Sequence, residues 1–342
     1  MITRIAIVGS GFGMYCLLPA FSGIKGCEVV SICGKNSERM KKFCKRFCIT
    51  RYDDWKKMLE TEKPDAVAIS VIPKNQFEIA EYALQNKIAV FAEKPLTASF
   101  DTSIRLNKLA EKNNLPNMID FIFPEIPEWC EAKRMIEEEV IGKILSINVD
   151  WTFLSYDLKN CIDSWKTDVE QGGGALSLFF SHVFYYLEYF LGKIKNLQCD
   201  FTLLGKNYNN SENIINMTMV FENGCIGNAH MDISNKKQQK HVIEFHTKNK
   251  TMILQNHSKS FVDNFELTIS VESNTEKIMN GNLENHDCEE LEDSRVKVIK
   301  PLATRFIKWC NTGMPSKPDF QDGLRVQKLI EMARNSNLKI SK

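Results

Sequence analysis

The chain has 342 residues, which is enough for two domains with separate hydrophobic cores. Its formal charge is +1 and its Lys and Arg residues are spread along the chain, so no basic surface for nucleic acid is expected. No apolar run reaches the roughly 18 residues that predict a membrane span.

The 11 cysteines are scattered and include no C-x-x-C pair, so we expect reduced thiols and no bound metal. The first residues, MITRIAIVGSG, lead directly into a strand and lack the features of a signal peptide. A cytoplasmic location is the expectation from both features.

Apolar strands alternate with amphipathic helices through residues 1–122. The strands are RIAIVGS, CEVVSICG, PDAVAISVI, IAVFAE and NMIDFIF. Continuous apolar strands of this kind belong to parallel sheets that are covered on both faces. The pattern therefore predicts a doubly wound Rossmann domain over residues 1–122.

Residues 123–342 follow a different pattern. A helix is predicted from about residue 125 to 139, and short alternating strands with turn signals run from 196 to 269. This spacing is typical of a mostly antiparallel sheet. The polar segment 273–293 predicts an exposed excursion, and two helices close the chain. We expect a second α/β domain over 123–342.

Glycines cluster where the first strand meets the first helix, in IVGSGFGM. In a dinucleotide-binding turn the first Gly permits the tight turn and the second lets the backbone approach the pyrophosphate. Gly9, Gly11, Phe12 and Gly13 are the predicted cofactor contacts here. The match is imperfect, because the third position of the fingerprint falls on Met14.

The end of the second strand bears on the choice of cofactor. NAD specificity usually needs a carboxylate there, but this chain has Gly34 followed by Lys35. Lys35, Ser37 and Arg39 are suited to binding a 2′-phosphate. NADP(H) is therefore favoured, with NAD(H) as the alternative if these residues are only a helix cap and its surface.

Several motifs occur together in a fixed order: VGSGFG, EKPLT, IDFIF, SWKTDVEQGGGAL, SHVFYYLEYFLG and PDFQDGLRVQKLIE. They resemble the family typified by glucose–fructose oxidoreductase and inositol dehydrogenase, over nearly the whole chain. The resemblance implies a Rossmann domain joined to an α/β domain with a large open sheet. That sheet commonly forms the family's oligomer interface, so a homodimer or homotetramer is expected.

The resemblance also implies an activity: hydride transfer between a nicotinamide and a carbinol or ketone carbon of a sugar or nucleotide-sugar. In the family, the Lys of the Glu-Lys-Pro motif binds the reacting oxygen, and the Lys-Pro peptide is often cis. These roles fall on Lys94, with Glu93 and Pro95 positioning it.

Further cofactor contacts are implied by the same resemblance. Trp165 and Lys166 match a Trp-Lys/Arg element that reaches the cofactor. Ile72, Pro73 and Gln76 match a loop that lines the nicotinamide side, although Gln76 stands where a His is common.

The expected proton-handling residue is His182. Leu178, His182 and Tyr185 share one face of a predicted helix, where many family members have an acid at the positions of Leu178 and Tyr185. Tyr185 is the candidate replacement. The alternative is that His182 only packs in an aromatic-rich helix; the preceding glycines 172–174, which let backbone approach a ligand, favour a site role.

Asp120, Tyr156 and Asp168 are the remaining predicted substrate contacts, beside Lys94 and His182. Two other functions stay open at this stage. The loss of an acid at Leu178 is compatible with a non-catalytic dinucleotide- or sugar-binding protein of the same fold. A reductase of a non-sugar substrate is the other.

Overall fold

The computed structural model describes residues 2–203, 211–271, 274–281 and 293–336. The described chain forms two compact units. The first contains residues 2–122 and 293–327, and the second contains the described parts of 123–286 together with 328–336. The predicted domain limits, 1–122 and 123–342, remain a prediction; by its contacts, the segment 293–327 groups with the first unit.

The described residues of the first unit form a six-stranded parallel sheet with the order β3-β2-β1-β4-β5-β6. Its strands are β1 (Thr3–Val8), β2 (Cys27–Cys33), β3 (Thr50–Tyr52), β4 (Ala66–Ile69), β5 (Ala89–Ala92) and β6 (Asn117–Ile119). The predicted doubly wound parallel sheet is confirmed. Strand β3 was not predicted, because three residues with one charged side chain give no apolar run.

Helices connect these strands: α1 (Leu18–Ser22), α2 (Glu38–Phe47), α3 (Trp55–Glu62), α4 (Pro73–Gln85) and α5 (Phe100–Asn113). Three of them begin at a side chain that accepts a backbone N–H. Ser37 accepts from Met40, Asp54 accepts from Lys57, and Ser99 accepts from Thr102. These caps satisfy N–H groups that have no partner within the helix.

The second unit contains a sheet of eight described strands: β7 (Ser146–Thr152), β8 (Ile194–Leu203), β9 (Glu212–Phe221), β10 (Ile226–Asp232), β11 (Lys240–His246), β12 (Lys250–Asn256), β13 (Glu266–Val271) and β14 (Asn274–Asn280). Among the described strand pairs of this second sheet, only β7–β10 is parallel. The predicted mostly antiparallel sheet is confirmed.

The polar segment 273–293 was predicted to be an exposed excursion, and this is wrong for part of it. Strand β14 lies within that segment and pairs with β13 in antiparallel register. A polar strand at a sheet edge lacks the apolar alternation by which strands are recognised. Residues 273 and 282–292 lie outside the described residues.

Among the described residues, the α-helices that lie wholly within the second unit are α6 (Pro127–Glu137), α7 (Tyr156–Lys159) and α8 (Ser181–Leu191). A π-helical segment, Leu176–Phe180, leads into α8. Buried aromatic rings from α6, α8 and the residue before β13 pack edge to face, with the Trp129 ring 4.9 Å from that of Tyr186 and 5.3 Å from that of Phe265. These contacts form the centre of the second core.

One histidine lies inside this aromatic core. The His241 ring stacks on Trp151 at a centroid distance of 4.4 Å, and its Nε2 lies 3.1 Å from the Tyr186 hydroxyl oxygen. Burial lowers the pKa of His241 to about 3, because the charged imidazolium is poorly solvated there. His241 is therefore uncharged at neutral pH.

The chain's described part ends in two long helices, α9 (Val296–Thr312) and α10 (Phe320–Ser336). Phe306 of α9 packs against Phe21 and Phe91 of the first unit, with ring centroids 6.3 and 5.7 Å apart. Residues 320–327 of α10 group with the first unit, and residues 328–336 group with the second. Among the described helices, none combines the length and apolar character needed to cross a membrane.

We expect the stability of the protein to fall between about pH 6.5 and pH 3 partly because of His241. In that range the unfolded chain binds a proton at His241 and the folded protein does not, so stability decreases as the pH falls, by up to about 1.4 kcal/mol per pH unit. His241→Gln removes the group, and its urea unfolding at about pH 7 and about pH 5 should show about 2 kcal/mol less pH dependence than the wild type.

The matched control is His257→Gln, which changes an exposed histidine. It should leave the pH dependence of the unfolding free energy unchanged. The interpretation of His241 is wrong if the two variants give the same pH dependence.

Candidate active site

The carboxyl ends of the parallel strands bring the predicted first-unit residues to one edge of the sheet. The strand order reverses between β1 and β4, and such a switch point is where doubly wound sheets bind ligands. Gly9 follows β1, Ser70 follows β4, Glu93 follows β5 and Asp120 follows β6. Pairing of these strands therefore assembles the edge.

The turn after β1 is closed to a side chain at its first glycine and open at its second. Gly9 has a φ of +139°, and a Cβ there would lie 2.2 Å from the carbonyl oxygen of Ser70. At Gly11 a Cβ would meet no atom within 4 Å, so this backbone is open. This arrangement fits the pyrophosphate of a dinucleotide, which needs a close approach to main-chain N–H groups.

Beyond the turn the chain enters a π-helical segment, Gly13–Leu17, before α1. A Cβ at Gly13 would make only ordinary contact, 3.4 Å from the Val8 carbonyl oxygen. Such π segments are frequent at functional sites. The third glycine is therefore not required by space, in keeping with its displaced position in the sequence fingerprint.

The guanidinium of Arg295 packs on the ring of Phe12, a predicted cofactor contact. The guanidinium of Arg295 lies 4.5 Å from the ring centroid, and Asp293 holds it through hydrogen bonds of 2.9 and 2.7 Å. The backbone N–H of Asp293 donates to the carbonyl of Tyr15 at 3.3 Å. Sequence analysis missed Arg295 because it is far from the glycine turn along the chain and stands in no recognised motif.

Close packing excludes a carboxylate from the end of β2. A Cβ at Gly34 would lie 2.8 Å from Met40 Cε and 2.9 Å from Ser10 Cβ. Arg51, which was not predicted, donates to the Gly34 carbonyl at 2.9 Å and pairs with Asp53. An acidic side chain in place of Gly34 would therefore have to displace Met40 or Ser10.

The three residues proposed to read a 2′-phosphate are exposed at the start of α2. Ser37 accepts the Met40 N–H as the helix cap. Arg39 lies over the ring of Tyr15, with its guanidinium carbon 5.1 Å from the centroid, and donates to the Tyr15 hydroxyl. Lys35 is exposed beside them.

A side-chain amide holds the loop that carries Lys94. Gln76 Nε2 donates toward the carbonyl oxygens of Glu93, Pro95 and Leu96 at 2.5, 3.1 and 3.1 Å. The Lys94–Pro95 peptide is cis. The Glu93 carboxylate accepts the backbone N–H of Lys94 at 2.9 Å. The observed contacts of Gln76 are thus with the loop, and its predicted contact with a cofactor remains a prediction.

The start of α4 places Gln76. Ile72 is the N-cap residue and Pro73 the first helical residue, where a missing N–H costs nothing. The Ile72 carbonyl accepts the backbone N–H of Gln76 at 2.9 Å.

The other end of the loop is held by α10. Buried Gln327 donates to the Thr97 carbonyl, and the Thr97 hydroxyl donates to the Ser99 carbonyl at 2.7 Å. A Cβ at Gly323 would lie 3.1 Å from Leu96, so the helix approaches the loop closely. Gln327 was not predicted, since neither its type nor its helix position indicated a partner.

Two carboxyl groups at this edge have perturbed ionisation. Burial raises the pKa of Asp120 well above its usual range, and the negative charge of Glu93 raises it further. Burial also raises the pKa of Glu93, against the opposing charges of Lys94 and Arg295.

In the second unit, Lys166 has a buried counter-ion. Trp165 and Lys166 form a 3-10 turn, and the Lys166 ammonium lies 2.9 Å from Asp157. Ser164 donates to the same carboxylate at 2.5 Å. Asp157 is buried and was not predicted, because its neighbour Tyr156 was the residue chosen from this stretch.

The glycines 172–174 are explained by this turn. A Cβ at Gly173 would lie 2.3 Å from the Trp165 carbonyl oxygen, and the Gly174 N–H donates to the Lys166 carbonyl at 2.8 Å. The sequence analysis had attributed these glycines to the approach of a ligand. The close approach that the structure shows is to the protein's own backbone.

An ion pair between Arg334 and Glu212 lies against Gly174. Arg334 donates to Glu212 at 2.9 Å and to the Ser177 hydroxyl at 3.0 Å. A Cβ at Gly174 would lie 1.9 Å from the Glu212 carboxylate. Neither charged residue was predicted.

His182 lies at the surface of the aromatic core, on α8, and is 7% exposed. Its ring meets that of Phe123 edge to face, with centroids 5.0 Å apart. Leu178 is in the preceding π-helical segment, and Tyr185 is partly exposed on α8. The structure therefore keeps these three residues on successive turns of one helical stretch.

The remaining predicted substrate residues differ in their surroundings. Tyr156 is 69% exposed. Asp168 is engaged locally, since its carboxylate accepts the Glu170 N–H at 3.0 Å and the Gln171 amide at 2.7 Å. Within the described ranges, no three His, Cys, Asp or Glu residues are grouped closely enough to hold a metal ion.

Two sequence models of one family match this chain. The oxidoreductase family's NAD-binding Rossmann fold matches residues 3–121, and its C-terminal alpha/beta domain matches residues 133–339. Together these segments cover most of the chain. The chain belongs to the Gfo/Idh/MocA family of oxidoreductases.

Named Gfo/Idh/MocA relatives share part of the sequence. An uncharacterised oxidoreductase of Synechocystis sp. is 26% identical over 200 residues, which is 58% of this chain and 54% of the relative. A dTDP-3,4-didehydro-2,6-dideoxy-alpha-D-glucose 3-reductase of Actinomadura kijaniata is 29% identical over 174 residues, or 51% of each chain. The matched segments thus span about half the length of these relatives.

Solved structures of the Gfo/Idh/MocA family match the fold over nearly the whole chain. A levoglucosan dehydrogenase in complex with NADH has a TM-score of 0.85 at 18% identity and covers 99% of this chain and 98% of its own. A 3-ketoreductase from Actinomadura kijaniata in complex with NADP and TDP-benzene has a TM-score of 0.80 at 20% identity, with 98% of each chain covered. At these identities the likeness establishes the fold.

Proposed function

We propose that this protein is an NAD(P)-dependent oxidoreductase that transfers a hydride between a nicotinamide and a carbinol or ketone carbon of a sugar or nucleotide-sugar. The supporting observation is the edge of the first sheet. There the open backbone at Gly11 and the Gln76-anchored Lys94 loop follow strands of the same sheet. A cofactor site and a cation for the substrate oxygen are both needed for this chemistry.

Membership of an oxidoreductase family and the names of its relatives support the sugar class. The Actinomadura relative is a reductase of a dTDP-linked sugar, and a relative from Pseudarthrobacter phenanthrenivorans is a levoglucosan dehydrogenase. The second is 29% identical over 147 residues, 41% of this chain and 36% of the relative.

The nicotinamide supplies or accepts the hydride. The task proposed for Lys94 is to donate a hydrogen bond to the substrate oxygen while negative charge develops on it, which stabilises the transition state. His182 or Tyr185 is proposed to exchange the hydroxyl proton. Leu178 provides no carboxylate for this step.

Lys94→Ala should lower kcat by at least about 100-fold, because the developing charge on the oxygen loses its donor. Turnover is measured with nicotinamide absorbance over a panel of sugars and nucleotide-sugars, and cofactor affinity by fluorescence titration. Cofactor affinity should stay within about threefold of wild type, since the glycine turn is unchanged.

Lys108→Ala is the matched control, because Lys108 is exposed on α5 and belongs to neither predicted loop of the site. It should leave kcat unchanged. If Lys94→Ala turns over within a few-fold of wild type, the role of Lys94 is wrong. Cofactor binding by the wild type without turnover of any substrate would instead favour a binding protein of the same fold.

We propose NADP(H) as the preferred cofactor, with NAD(H) as the alternative. The support is steric and electrostatic: Gly34 leaves no room for the carboxylate that selects NAD, and Lys35 and Arg39 place positive charge beside it. Solved family structures contain NADH in one case and NADP in another, so the fold itself accommodates both.

Arg39→Ala should weaken NADP(H) binding by about tenfold, the loss of one charge-assisted hydrogen bond, and should leave NAD(H) binding unchanged. Dissociation constants for both cofactors provide the measurement. The control is Lys41→Ala on the same helix, where Lys41 pairs with Glu38. An equal loss for both cofactors would contradict a 2′-phosphate contact.

We also propose that the protein assembles as a homodimer or homotetramer through the second unit's sheet. A groove of about 660 Å³ crosses its polar face, and acids such as Asp150 and Glu244 lie there beside Lys240 and His230. A face with both charge signs can complement a second copy of itself. Exposed Ile226 is paired with Val220 on neighbouring strands of this sheet.

Ile226→Lys should weaken this self-association by at least about tenfold, because a charge replaces an apolar contact at the interface. Sedimentation velocity over a range of protein concentrations measures the effect. The control Ile162→Lys changes an isoleucine that is 37% exposed and lies outside the sheet. A wild-type protein that stays monomeric at all concentrations would exclude the proposed assembly.

A further inference from the structure

Two carboxyl groups stand at the ends of neighbouring strands, β5 and β6. Ala92 pairs with Ile119 in parallel register, and the Asp120 N–H donates to the Ala92 carbonyl at 2.9 Å. Glu93 and Asp120 are the residues that directly follow this Ala92–Ile119 pair, so both lie at the sheet edge that carries Lys94. Two acids so placed in a poorly solvated site do not both ionise readily.

The two acids differ in what supports a negative charge. Asp120 is 1% exposed, and no N–H or hydroxyl group of the described residues donates to either of its carboxylate oxygens. Glu93, by contrast, accepts the backbone N–H of Lys94. Because a buried charge without a donor is costly, the negative charge is more stable on Glu93 and the proton on Asp120.

Other elements bring charged and titratable groups to the pair. Lys94 stands next to Glu93, and Arg295 reaches the pair from the start of α9, where Asp293 neutralises it. Cys16 approaches from the π-helical segment and is uncharged, because burial raises its pKa. The raised pKa of Asp120 persists in the presence of both cations.

We propose that Asp120 is a positioning residue that stays protonated at neutral pH and donates a hydrogen bond to the Glu93 carboxylate. The Glu93 carboxylate in turn holds the backbone N–H of Lys94, so this bond fixes the segment from which Lys94 projects. The pair then carries one negative charge beside Lys94. The catalytic consequence rests on the proposed function of Lys94, whereas the protonation state of Asp120 does not.

Infrared spectroscopy tests the protonation state without turnover. Wild-type protein at neutral pH should show the C=O stretching band of a protonated, buried carboxylic acid, and Asp120→Asn should lose it. Asp101→Asn, which changes an exposed acid on α5, should keep the band. In Glu93→Gln the band should persist only to a lower pH, because the neighbouring charge that favours the acid is gone. An unchanged band in Asp120→Asn would overturn the proposal.

Kinetics test the positioning role. The amide of Asp120→Asn can still donate to Glu93, so the kcat of this variant should stay within about threefold of wild type. Asp120→Leu cannot donate, and its kcat should fall by about tenfold, the value of one hydrogen bond to a charged group. Wild-type activity should fall at alkaline pH as Asp120 ionises, and Asp120→Asn should lack this fall.

Equal loss in both variants, with the wild-type pH profile retained, would overturn the positioning role; thermal unfolding shows whether Asp120→Leu is folded. A third result separates the two proposals. If no protein turns over any substrate but the infrared band behaves as described, the proposed function fails and the protonated Asp120 stands.

Discussion

The close approach of strand β4 to the turn after β1 is the constraint on which the first unit's site depends. No Cβ fits at Gly9, because it would lie 2.2 Å from the Ser70 carbonyl oxygen. The bare backbone of the turn is thereby brought to the point where the strand order reverses. Strands β5 and β6 continue the same parallel sheet, so their ends bring Lys94 and Asp120 to this edge.

The loop that carries Lys94 is held by side chains that bind its backbone. Gln76 and Gln327 donate to carbonyls at the two ends of the Lys94 loop, and in the second unit Gly173 lets the Lys166 turn pack on the chain beneath it. Backbone carbonyls are present whatever the sequence. At position 76 the side-chain amide supplies the donor that these carbonyls accept.

The sequence was sufficient for the architecture because apolar strands and amphipathic helices are local patterns. It failed at β3 and β14, which are short or polar and depend on their neighbours in the sheet. The placement of Gly9 and Glu93–Pro95 after strands of the first sheet was predictable, because the motifs that contain them are local. The partners Arg295, Gln327 and Asp157 were not predicted, because each is defined by a contact that no local pattern shows. The close approach of Gly173 to the backbone of Trp165 and Lys166 is a contact of the same kind.

Buried ionisable groups in this protein follow two different rules. Where a partner of opposite charge is present, the charged form is favoured: in spite of burial, the Arg295 guanidinium holds the pKa of Asp293 below its usual range. Where it is absent, the neutral form is favoured, as in His241. Asp120 has a second acid as its neighbour, so by the same reasoning it holds a proton. The Asp120–Glu93 pair proposed above would act through the backbone N–H of Lys94, which the Glu93 carboxylate accepts at 2.9 Å.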